Sequence, residues 1–397
     1  LSEWQDVPVG AVGAPALVTR EQCRTVMLPV DTVACGQRLL RVVAPLAADW
    51  RVQTVATVPP SPFNRGVRGW LERTGLPELP WEQAKRTPAD LVVTAGTAGM
   101  AEMPGPVVLV PHGAGFVKTP DRRRGRRARR TAFGLGGQWL VSDGRVVPAA
   151  VVLAHEEERA RLRRACPEAA ACAVVAGDPC ADAVLQGRAR REARRGRSAD
   201  PPGRRLLVLS STWGGQSLFA SRAEFLPGLA GEAAAAGWDA ALLLHPNIRA
   251  AHGDWQLRRW LEPFTRAGGR VPGAEEDWCA YVAAADAVVG DHGSVSLYAT
   301  LTGAPVLRWC GTPLVDPASP MAALLRRAPA LPDGGPYVPA VEAALGAGAG
   351  SRAADVAARI TSHPGRFTER VLPCLYRLLA LAPPPAAGSA DRGGAAA

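Results

Sequence analysis

Short apolar, β-branched runs alternate along this chain with longer segments of Ala, Leu and Arg, the pattern of parallel strands joined by crossover helices. In the first half the runs at 25–28, 52–58, 91–94, 107–110, 151–154 and 174–176 predict strands, and apolar spacings of three and four residues predict a helix over 37–48. Residues 156–164 read as a helix that opens on acidic residues, which suits the positive end of the helix dipole. From 187 to 202 the apolar residues give way to Arg, Gly, Ser and Pro. A second series follows, with strands expected at 206–209, 241–244, 287–289 and 305–308 and helices at 225–236, 255–267, 278–284 and 296–301.

The expectation is an α/β protein of two Rossmann-like domains with parallel sheets facing a central cleft. Residues 1–186 are expected to form the N-terminal Rossmann-like domain, 187–204 an Arg-rich linker and 205–345 the C-terminal Rossmann-like domain. Residues 352–381 are helices that pack back, and 382–397 are a disordered tail of Pro, Ala, Gly and Ser. The length of 397 residues gives each half room for its own core. No apolar run approaches the roughly 18–20 residues needed to span a bilayer, and no basic-then-apolar leader follows Leu1, so a cytoplasmic protein is expected. Eight cysteines lack metal or disulfide spacing and read as reduced thiols; no metal or cofactor is expected.

The net charge of +10 is almost all arginine, since Lys85 and Lys118 are the two lysines. A GC-rich coding bias explains much of it, yet Arg122 to Arg130 holds seven arginines in nine positions, and residues 188–205 hold eight in eighteen. Such runs suit an anionic polymer, lipid headgroups at the inner face of the membrane, or a solvated surface. No aromatic residues interleave them to stack bases, so nucleic acid is not an expected partner.

Ligands of open parallel sheets collect beyond the carboxyl ends of strands, at helix N-termini. At such positions stand His112, Ser211 and Thr212, His245 and Asn247, and the turn Asp291-His292-Gly293-Ser294-Val295-Ser296. Three of the six histidines fall there. A glycine for close approach and hydroxyl donors before a helix suit a diphosphate, although the same residues also make ordinary helix caps. Gly134-Leu135-Gly136-Gly137 lies outside a strand–helix context and is no dinucleotide loop.

These segments, in order, resemble the CDP-glycerol glycerophosphotransferase family, which makes teichoic-acid-type polymers on the two-Rossmann-domain fold called GT-B. Pro111-His112-Gly113 with Phe116 and Lys118 resembles its Trp-His-Gly segment and downstream lysine. Gly177-Asp178-Pro179 resembles its Gly-x-Pro turn, and Ser210-Ser211-Thr212-Trp213 its Pro-Thr-Trp-Arg strand end. Leu244-His245-Pro246-Asn247 is similar to its Lys-x-His-Pro element. Residues 285–294, continuing to Gly303-Ala304-Pro305, follow its Ala-Asp, Asp-Tyr-Ser-Ser and Lys-Pro spacing.

The resemblance implies a transferase whose nucleotide-diphosphate donor supplies a glycerophosphate or sugar group. His112 would be the general base on the acceptor hydroxyl, with Asp291 also catalytic. Gly113, Lys118, Ser211, Thr212, His245, Asn247, His292, Gly293, Ser294 and Ser296 would hold substrate or diphosphate. The acceptor would be an anionic polymer or lipid-linked hydroxyl, with peripheral membrane contact through Arg122 to Arg130. The chain departs from the family in reading Asp291-His292-Gly293-Ser294 for Asp-Tyr-Ser-Ser and in having no acid near Tyr298. An epimerase or hydrolase of a nucleotide sugar, and a binding protein without catalysis, are the alternative readings.

Overall fold

The computed structural model describes residues 20, 22–114, 134–195, 203–309, 315–348, 350 and 353–384. Seven strands form the first sheet: β1 (Arg24–Pro29), β2 (Val52–Thr57), β3 (Glu78–Leu79), β4 (Leu91–Thr94), β5 (Val107–Leu109), β8 (Pro148–Leu153) and β9 (Ala173–Val175). Between β5 and β8 lie β6 (Val141–Ser142) and β7 (Arg145–Val146), a small antiparallel pair. Five strands form the second sheet: β10 (Arg205–Ser211), β11 (Trp238–Leu244), β12 (Gly269–Arg270), β13 (Ala287–Gly290) and β14 (Val306–Arg308). Pairing within both sheets is parallel.

The strand orders are β3-β2-β1-β4-β5-β8-β9 and β12-β11-β10-β13-β14. In each, chain order reverses beside the first strand, between β1 and β4 and between β10 and β13. Those two reversals are where such sheets open a crevice at their carboxyl ends.

Helices cover both faces, which is why strands such as Leu91–Thr94 are apolar at successive positions and buried throughout. The first helix, Val33–Ala47, starts where Thr32 accepts a hydrogen bond from Cys35 N at 3.1 Å, and it buries Leu39, Val42, Val43 and Leu46 along one face. Each such side chain contributes roughly 1.5–3 kcal/mol by leaving water. The last helix, Phe367–Leu378, returns to this first core through Phe367, Val371 and Leu375, and Tyr376 donates to Asp49 at 3.0 Å. Residues 187–195, within the stretch read as a linker, are the final turns of the helix Pro179–Arg195. Among the described residues no helix is long and apolar enough to cross a membrane.

Candidate active site

The wall built by the second sheet centres on Asp291, the first residue after β13. Its carboxylate accepts from three backbone N–H groups: Thr212 N at 2.9 and 3.1 Å, Leu218 N at 2.9 Å and Gly293 N at 2.9 Å. The loop after β10 is thereby tied to the loop after β13 across the strand reversal. Asp291 is only 4% exposed, and burial pushes its carboxyl up to about 6 against the pull of those N–H groups.

Ser296 and Ser211, expected to hold diphosphate, serve the same framework. Ser296 is 1% exposed and donates to Asp291 O at 2.8 Å. The Ser211 hydroxyl donates to Thr212 O at 2.9 Å and accepts from Phe219 N at 3.0 Å. Thr212 and Asn247 are likewise buried, and their backbone N–H groups go to Asp291 and to His245. The Ser211 and Ser296 hydroxyls thus satisfy the backbone at these strand ends, and the backbone N–H groups of Thr212 and Asn247 are satisfied by side chains there. Half-buried on the same wall are His292, Ser294 and His245.

His245 Nδ1 accepts from Asn247 N at 3.1 Å and caps the helix Pro246–His252. An accepting Nδ1 leaves the neutral ring's proton on Nε2, a donor suited to an anion. His155, at the end of β8, makes the same bond to Glu157 N at 3.1 Å, so capping alone does not mark a site. His245 differs in its surroundings: its ring lies 6.3 Å from that of Trp213, which is 5.1 Å from Phe63 in the loop after β2. That aromatic row joins the two halves.

The wall built by the first sheet carries His112, exposed beyond β5. Its Nδ1 lies 3.3 Å from Ala95 O, at the end of β4, and 3.0 Å from Cys35 Sγ in the first turn of Val33–Ala47. A carbonyl only accepts, so Nδ1 carries the proton and Nε2 is the basic nitrogen. The next residue brings the walls together. A Cβ at Gly113 would stand 2.6 Å from Ser294 Oγ, so the two walls come within van der Waals reach of each other here.

Behind this contact the halves are pinned by a buried cluster that sequence reading did not find. Arg38 donates through both terminal nitrogens to Asp178 Oδ2 at 3.1 Å. Tyr298 donates to the same oxygen at 2.8 Å and receives a bond from Arg38. Asp178 Oδ1 accepts from Cys180 N and Ala181 N at 2.8 and 3.0 Å, capping Pro179–Arg195. Burial pushes the Tyr298 hydroxyl well up, so it remains a donor. Gly177 has a φ of +102°, with Thr361 Oγ1 3.0 Å from where a Cβ would be. The Gly-Asp-Pro turn is therefore a fastener between domains, and Tyr298, where the resembled family has an acid nearby, is committed to it.

Lys118 and Arg122 to Arg130 lie outside the described residues. In the second arginine cluster Arg191 pairs with Asp286 at 2.7 Å, Arg204 with Asp239 at 2.7 Å, and Arg188 with Glu192 at 2.7 Å. Arg191, and Arg188 by donating to Ala285 O at 3.3 Å, brace the helix against the start of β13, while Arg204 joins the start of β10 to β11. A groove of about 450 Å³, lined by Gln37, Arg41, Trp70, Arg73, Asp277 and Trp278 among others, contains none of the residues singled out from sequence. Among the described residues no cluster of His, Cys, Asp or Glu is placed to hold a metal ion.

Solved structures sharing this architecture include a variant of the wall teichoic acid polymerase TagF soaked with CDPG, at a TM-score of 0.62 and 10% identity over 91% of this chain and 90% of that one. S. aureus MnaA with UDP aligns at 0.53 and 12% identity, over 91% and 98% of the two chains. The UDP-GlcNAc 2-epimerase from Neisseria meningitidis bound to UDP-GlcNAc aligns at 0.51 and 11%, over 89% and 99%. No protein-family model and no curated protein matches the sequence. At such identities the likeness is one of fold, and the chain has the GT-B fold: two Rossmann-like halves whose parallel sheets meet across a cleft.

Proposed function

We propose that the protein is a transferase that moves a glycerophosphate or sugar group from a nucleotide-diphosphate donor, of the CDP-glycerol kind, to a hydroxyl on an anionic polymer or lipid-linked acceptor. The observation that supports this reading is the approach of Gly113, the residue after His112, to Ser294 on the opposite wall. In the glycerophosphate case His112 Nε2 takes the acceptor proton, the acceptor oxygen bonds to phosphorus, and the phosphoanhydride bond breaks with CMP leaving. His112 then passes its proton to solvent. Such transfers depend chiefly on positioning and on charge at the phosphate oxygens, which the Nε2–H of His245 and the Ser294 hydroxyl are suited to meet. Trp213 and Phe63 offer flat faces beside His245 for a nucleobase.

Asp291 has a different part. With three N–H groups on its carboxylate it shapes the loops and leaves the proton transfer to His112. Replacing His112 with Ala is expected to lower transfer by about 10²–10⁴-fold, the usual worth of a general base, with donor affinity unchanged in a binding titration. Unchanged turnover would remove His112 from the chemistry. A product formed without any acceptor would move the reading to an epimerase or hydrolase.

A further inference from the structure

Four large hydrophobic side chains are exposed among the described residues, and two of them, Trp255 at 65% and Trp260 at 50%, stand on one short helix, Asp254–Trp260. The helix is held from inside, where Leu257 is buried and Leu261 and Phe264, just beyond it, join the core of the second half. With about 3.6 residues per turn, Trp255, Arg258 and Arg259 share the face opposite Leu257, and Trp260 stands at its edge. Both arginines are exposed, and the Arg259 guanidinium lies 5.8 Å from the centre of the Trp255 ring. Residues 249–266 hold four arginines and two acids. Glu262 is met by Arg266 at 2.6 Å and Asp254 by Arg249, while Arg259 stands 3.9 Å from Glu262. The surplus positive charge therefore falls on Arg258 and Arg259, beside the indoles and outside both arginine runs singled out from sequence.

We infer that this face is a seat for an anionic bilayer surface. An indole has an apolar body and a polar N–H and settles at the level of the headgroups, while guanidinium groups beside it meet lipid phosphates. Charge alone would attract any polyanion; exposed indoles add what only a surface with an apolar interior rewards. A protein partner fits less well, because the anchors of such interfaces cluster in a desolvated centre depleted of charge, and here arginines separate the two indoles. The patch is also tied to the candidate site. The Trp260 ring lies 5.1 Å from that of His252, which ends the helix capped by His245, and 6.3 Å from that of Phe219, whose helix begins at Leu218, held by Asp291. A helix of that length spans about 10 Å, which puts Trp260 on the order of 15 Å from His245.

The inference depends neither on His112 nor on the donor, because binding is read without substrates. The full chain is sedimented with vesicles of phosphatidylglycerol and phosphatidylcholine in equal parts, and with vesicles of phosphatidylcholine alone. The parent is expected to bind the anionic vesicles in preference. Replacing both arginines, Arg258→Gln with Arg259→Gln, should weaken that binding by about 30-fold, and Trp255→Ala with Trp260→Ala by roughly tenfold or more. Unchanged melting temperatures would show that these exposed substitutions leave the fold intact. Bromine-labelled acyl chains should quench tryptophan emission in the parent, whereas Trp255→Phe with Trp260→Phe stays bound and loses most of that quenching. No binding of the parent to anionic vesicles, or equal binding by the parent and the arginine and alanine variants, overturns the seat. So does binding without quenching, which is attraction of a kind that any polyanion would share. A dimer of the parent that Trp255→Ala with Trp260→Ala abolishes would give the surface to a second copy of the chain and overturn it as well.

Discussion

The two strand reversals of this molecule occupy equivalent places in their sheets and are built in opposite ways. At the second, Asp291 is clamped by Thr212, Leu218 and Gly293, and the hydroxyls of Ser211 and Ser296 are spent on backbone. At the first, Asp31 keeps a buried oxygen with no hydrogen-bond partner among the described residues, burial keeps the proton on Cys35, and His112 reaches over the end of β4. One wall invests its polar groups in rigidity, and the other holds titratable groups ready. A binding wall gains from a fixed shape, because preorganised donors need no reorganisation when a charged ligand arrives. A proton-handling wall must retain groups that its own backbone has not satisfied.

The largest effect should come where the walls are fastened together. Removing the acid in Asp178→Ala leaves Arg38 charged and buried, and should cost about 3–5 kcal/mol in urea unfolding; a loss below about 1 kcal/mol would mean that the fastener does not govern how the halves meet.

A pH-dependent effect comes next. Glu158, accepting from Ala154 N at 2.7 Å, is buried, and that burial pushes its carboxyl up to about 7 from 4.5. Because the folded value lies above the unfolded one, its contribution is fully present below about pH 4.5 and is lost as pH rises through about 7. Relative to Glu158→Gln, the parent should therefore lose roughly 3 kcal/mol across that window. Parallel stability curves for the two proteins would deny the burial cost.

The smallest effects separate framework from ligand on the second wall. Ser296→Ala should cost about 1 kcal/mol of stability through its lost bond to Asp291 O, with donor affinity intact. Ser294→Ala should do the reverse, weakening the donor severalfold while leaving stability within about 0.5 kcal/mol. Equal behaviour of the two serines would erase the distinction.

How much of this was legible in the sequence follows from the range of each interaction. Strands covered on both faces read as apolar runs, so β4 was expected at 91–94 and observed as Leu91–Thr94, while the two-residue β3 and β12 carry no period to detect. His112, His245 and the Asp291 turn were visible because strand ends are where chemistry collects. The same rule could not tell Ser294 from Ser296, since a hydroxyl before a helix serves a ligand or its own backbone with equal ease. His155 shows the same ambiguity for imidazoles. Asp31 and Cys35 obey the strand-end rule too, but β1 runs to Pro29 rather than ending at 28, and no glycine-rich turn follows it to draw notice. The Arg38–Asp178–Tyr298 cluster joins residues 140 and 260 positions apart, a pairing that no local pattern announces.

The most direct test of the account is thermal unfolding of the parent, His112→Ala and His245→Ala against CMP, CDP-glycerol, UDP, UDP-sugars and GDP, since a ligand of the folded state raises the melting temperature by mass action. The account predicts a rise with a cytidine or uridine compound that survives in His112→Ala and disappears in His245→Ala. No rise with any of these nucleotides, or a rise indifferent to His245, would contradict it.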